Sequence, residues 1–106
     1  MSEQELLREI VARTLASVPG LRKLVLFGSR ARAQARVDSD VDLVAVVDEA
    51  PVSGPRTVDW RLALLGLDFG FDLIVLSSAE WDVAAAMPGS AAAAAKREGL
   101  VIYGAP

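Results

Sequence analysis

The spacing of apolar residues divides the chain into alternating helical and extended segments. Leu6, Leu7, Ile10, Val11 and Leu15 fall on one helical face. Ser2-Glu3-Gln4-Glu5 in front of them fits a capping box, and Pro19-Gly20 stops the helix. An apolar run then predicts a strand over Arg22 to Phe27, ended by Gly28. Ser29 is placed to cap a short basic helix, Arg30 to Arg36, and Asp38-Ser39 makes a turn. A second strand runs from Val41 to Val47, entered through Asp40 and broken by Asp48, Glu49, Ala50 and Pro51. Ser53 to Pro55 restarts a helix that continues to about Leu65, with Val58, Leu62 and Leu65 on one face and Trp60 on another. Gly66 and Gly70 bracket a turn before a third strand, Phe71 to Leu76, which reads as fully buried apart from Asp72. Ser77, Ser78 and Glu80 cap a helix over Ala79 to Met87, and Ser90 caps another over Ala91 to Glu98. Leu100 to Tyr103 adds an edge strand.

Composition narrows what such a chain can do. At 106 residues one domain with one core is expected. Hydrophobic residues make up 53% of it, and the mean hydropathy is +0.37. Some apolar surface is therefore expected to remain outside, for a partner or for homo- or hetero-oligomeric association. The net charge of −3 argues against direct, broad binding to nucleic acid. No apolar run reaches membrane-spanning length, so a cytoplasmic protein with no membrane contact is expected. Cysteine and histidine are both absent, which removes disulfides, thiolate or imidazole zinc sites and histidine acid–base chemistry. A metal here must be held by oxygen, which favours magnesium or manganese.

The chemistry gathers between Leu26 and Val47. Side chains alternate along a strand, so Asp40 and Asp42 point the same way, roughly 6.5 Å apart along the backbone. Carboxylates so close repel unless a cation lies between them. If the second and third strands are neighbours, Asp72 joins them, and three convergent carboxylates suit two divalent ions about 3.5–4 Å apart. Gly28 permits close backbone approach, and the amides after Ser29 favour an anion. Arg30 and Arg32 divide between phosphate contacts and a solvated helix face. The reaction favoured by this set is phosphoryl chemistry by positioning and charge neutralisation, with no covalent nucleophile.

Gly28 to Leu43, GSRARAQARVDSDVDL, closely resembles the signature of the DNA polymerase β-like nucleotidyltransferases. Within that superfamily the chain resembles the minimal nucleotidyltransferases (MNT), usually encoded beside a HEPN partner. The likeness extends through FDLIVL and REGLVIYG. One departure is Ala33, where the pattern usually has glycine. The resemblance implies an α/β (α+β) fold with a mixed three- to four-stranded sheet flanked by helices. It further implies ATP as substrate and two Mg²⁺ ions (or Mn²⁺), with Asp40 and Asp42 bridging them and Asp72 completing one shell. Gly28 and Ser29 would hold the phosphates, with Arg30 and Arg32 beside them. Members of this group act as antitoxins that mask a HEPN toxin or transfer AMP to a tyrosine on it. All assigned elements use up the chain, leaving nothing for a second lobe, so an acceptor on another protein is expected. The alternative is a catalytically weak module of the same fold that neutralises its partner by covering it.

Overall fold

The apolar run Val41–Val47 is buried along its length except at Asp42, because it has strands on both edges and helices on both faces. The computed structural model describes residues 1–32, 39–48 and 55–105. Among these the order is α1 (Glu3–Ser17), β1 (Leu21–Phe27), β2 (Val41–Val47), α2 (Pro55–Ala63), β3 (Phe71–Ser77), α3 (Ser78–Ala85), α4 (Ala91–Glu98) and β4 (Leu100–Tyr103). The four strands form one mixed sheet in the order β3-β2-β1-β4. β1 pairs antiparallel with both β2 and β4, and β2 pairs parallel with β3. The mixed sheet flanked by helices is the α/β (α+β) architecture that the family resemblance implies.

Strand alternation sorts the core into two layers. Val41, Leu43, Ala45 and Val47 pack with Leu6 and Ile10 of α1 and Trp60 of α2. Val44 and Val46 pack on the opposite face with Trp81 of α3 and Ala92 and Ala95 of α4. Asp42 shares the parity of Val44 and Val46, so the sheet presents it on the α3–α4 side.

Local chemistry defines the helix starts. In α1 the Ser2 hydroxyl accepts from the Glu5 amide at 3.1 Å, and the Ser2 amide donates back to Glu5 at 3.0 Å. α3 repeats this capping box with Ser77 and Glu80, so that helix begins at Ser78.

Three expectations about faces change. The buried stripe of α1 is Leu6, Ile10 and Thr14, while Leu15 is exposed. Thr14 belongs inside because its hydroxyl donates to the Ile10 carbonyl at 2.6 Å and accepts from the Trp60 indole at 2.8 Å. In α2 the buried face is that of Trp60 and Leu64, and Val58, Leu62 and Leu65 are exposed. An indole has more area to remove from water than an aliphatic residue, so it takes the inward face. β3 is an edge strand with mostly half-buried residues, because β2 is its one neighbour in the sheet. Ala33, Arg36, the turn at Asp38 and the helix start at Ser53 lie outside the described residues.

Candidate functional site

Register brings the acids of separate strands together. Asp42, opposite Phe27 on one side, lies opposite Asp72 on the other. In a parallel pair, residues in register share a face and stand about 5 Å apart across the strands. Asp40 precedes β2, and the next residue, Val41, donates its amide to the Gly70 carbonyl at 2.8 Å. Asp42 and Asp40 each rest against a glycine. A methyl group on Gly28 would run into the Asp42 carboxylate, and one on Gly70 into that of Asp40. Gly28 also has φ +75°, in the left-handed region. The seat at Gly70 was not anticipated from the sequence, where that residue reads as a turn glycine.

The electrostatics record the crowding. The Asp42 carboxyl is pushed above the ordinary aspartate range by burial first, then by the charges of Asp72 and Asp40, and Arg32 offsets part of this. A cluster of hard oxygen donors whose charges repel suits Mg²⁺ or Mn²⁺. Among the described residues, however, no three His, Cys, Asp or Glu side chains are arranged as a ready metal cage. Of the three acids expected to converge, Asp42 and Asp72 are in register, and Asp40 adds its charge to theirs from just before β2.

Residues 28–32 form a turn in which the Arg32 amide donates to the Gly28 carbonyl at 3.3 Å. The basic helix expected over Arg30 to Arg36 is a turn as far as Arg32, and residues 33–36 lie outside the described residues. Arg30 departs from both expected roles. Its side chain is 5% exposed and turned inward. Nε and Nη2 donate to the Ser39 carbonyl at 3.2 and 2.9 Å, Nη1 bonds Glu3 at 2.9 Å, and the guanidinium lies 4.8 Å over the Phe69 ring. Nothing in the sequence pattern signalled Glu3 or Phe69 as its partners. Arg32 stays at the surface, where Nη1 meets Glu98 at 3.1 Å and holds that carboxyl below its ordinary range. An ion pair this exposed is weak and readily exchanged for another anion.

Residues 9–97 match the family described as polymerase beta, nucleotidyltransferase. Protein adenylyltransferase MntA of Aphanizomenon flos-aquae (strain 2012/KM1/D3) is 46% identical over 43 residues, which are 41% of this chain and 29% of that protein. The match therefore spans less than a third of the relative. A crystal structure of a toxin–antitoxin with AMP-PNP superposes with a TM-score of 0.72 at 20% identity, over 93% of this chain and 73% of that one. A tri-AMPylated Shewanella oneidensis HEPN toxin in complex with MNT antitoxin gives a TM-score of 0.69 at 18% identity, over 98% of this chain and 74% of the matched one. At these identities the structural likeness speaks for the fold.

Proposed function

Because this chain belongs to the polymerase β nucleotidyltransferase family, we propose that it moves AMP from ATP to a hydroxyl of a partner protein. The partner in this reading is a HEPN-type toxin, the acceptor a tyrosine, and the chain its antitoxin. The observation that carries the reading is the register of Asp42 with Asp72, next to Gly28. The relative's naming as a protein adenylyltransferase supports the choice of reaction.

Asp40, Asp42 and Asp72 are the residues that would hold Mg²⁺ or Mn²⁺, and the donor set fits, since it is all carboxylate and Arg32 offsets only part of its repulsion. Bound there, the metal would polarise the α-phosphate and take up charge on the departing pyrophosphate. The backbone at Gly28 and Ser29 accommodates the phosphates, with no Cβ at residue 28 to hold them away. Arg32 exchanges Glu98 for phosphate oxygen. Asp72, exposed on an edge strand, is open to an acceptor hydroxyl and draws on its proton as that oxygen attacks phosphorus.

Co-expression with the partner tests this directly. The partner gains the mass of one or more AMP units, and Asp40→Ala with Asp42→Ala abolishes both that gain and neutralisation. The masking alternative draws support from a different observation, the exposed Val58 and Leu62 of α2 and Leu65 just after it, which suit a docked protein. Under masking, the double variant neutralises its partner as well as the natural chain does.

A further inference from the structure

Arg30 sits behind the carboxylates and touches each segment that delivers one. It grips the Ser39 carbonyl, directly before Asp40, with two donors. Its flat face covers Phe69, directly before Gly70, the residue that seats the Asp40 carboxylate and accepts from the Val41 amide. Nη1 is held by Glu3 at the start of α1, with both carboxylate oxygens engaged at 2.9 and 3.1 Å.

We propose that Arg30 is a positioning residue: it fixes the backbone from which Asp40 projects, and Glu3 and Phe69 act through it. This rests on the reading of Asp40, Asp42 and Asp72 as metal ligands. The physical case is that repelling carboxylates spread unless their backbone is restrained, and Asp40 precedes β2 and so lacks the sheet's ladder at its own position. A planar guanidinium supplies what the ladder does not. It bonds a carbonyl through two nitrogens, keeps a third for Glu3 and stacks on a ring, whereas an ammonium cannot do all three at once. Burial makes the arrangement stiff, since Arg30 has little water to turn towards. Ion binding then starts from carboxylates already gathered.

The test is Mn²⁺ titration in the absence of nucleotide, by calorimetry or electron paramagnetic resonance, on folded protein well below its melting temperature. Arg30→Lys is expected to weaken Mn²⁺ binding by roughly tenfold, the range seen when groups behind a metal ligand are lost. Glu3→Gln weakens it in the same direction by a smaller factor, and the double variant is no worse than Arg30→Lys alone, because Glu3 acts through Arg30. Arg13→Lys is the control: this arginine ties Glu9 to the carbonyls of Ala63 and Leu65, away from the acids, so it lowers the melting temperature and leaves Mn²⁺ binding unchanged. If Arg30 is instead a phosphate ligand, Arg30→Lys leaves nucleotide-free Mn²⁺ binding intact and weakens only ATP, while Glu3→Gln frees the guanidinium and tightens ATP. That pattern overturns the proposal. Failure of the natural chain to bind Mn²⁺ at all overturns the metal reading beneath it, and is distinguishable from the first.

Discussion

Asp42 ionises against its surroundings. Burial and the charges of Asp72 and Asp40 raise its pKa above the ordinary 3.8, so the folded chain holds that proton more tightly than the unfolded chain does. The resulting contribution to stability is fully present below the unfolded value and is lost as pH rises through the raised one. At neutral pH, in chelator, Asp42→Asn is therefore expected to melt higher than the natural protein, and the gap closes as pH falls below about 4. Mn²⁺ narrows the gap from the other side by stabilising only the natural chain. Thermal melts across pH with and without metal check both arms, and a lower melting temperature for Asp42→Asn at pH 7 contradicts them. Gly28 makes a companion case. Gly28→Ala meets both the Asp42 carboxylate and a left-handed backbone, the latter costing about 1–2 kcal/mol, so it should lower stability and abolish the proposed AMP transfer together.

Elements show which parts of the chain can be understood locally. The capping boxes at Ser2–Glu5 and Ser77–Glu80 are visible in four residues, because donor and acceptor are neighbours in sequence. β2 was legible for a related reason: seven consecutive positions with a single acid describe a strand covered on both faces. The inward faces of α1 and α2 were not, since each is decided by the other helix. Thr14 is buried only because Trp60 needs an acceptor, and the Val58–Leu62–Leu65 stripe is displaced outward only because the indole occupies the interior. Of the site, the acids and Gly28 were legible from their spacing, whereas the Arg30 contacts with Glu3 and Phe69 join residues too distant in sequence for any local pattern. Thr14→Val should leave the indole N–H buried without a partner and lower unfolding free energy by about 1–3 kcal/mol, measured by urea titration. Trp60→Phe in the same background removes the orphaned donor and recovers part of that loss, which separates the hydrogen bond from simple packing.

On the scale of the whole molecule, the exposed apolar stripe of α2 and the Asp42 carboxylate fall on different sides of the sheet. Leu62 is 58% exposed on α2, a helix whose core contacts belong to the α1 side of the sheet, whereas Asp42 shares the parity of the α3–α4 side. Leu62→Glu should shift stability by no more than about 0.5 kcal/mol. Under the proposed reading it should also weaken co-purification with a HEPN-type partner while sparing Mn²⁺ binding. Retained co-purification would place the docking surface elsewhere. The parallel pairing of β2 with β3 has a consequence in time as well as in space. Thirty positions separate Asp42 from Asp72, and α2 lies between them. A ribosome must thread that entire crossover into the open before the last acid exists outside the exit tunnel. Pairings of this kind close slowly compared with hairpins. Nascent chains carrying β1 and β2 alone therefore lack the Asp42–Asp72 pairing, which forms only once β3 has emerged.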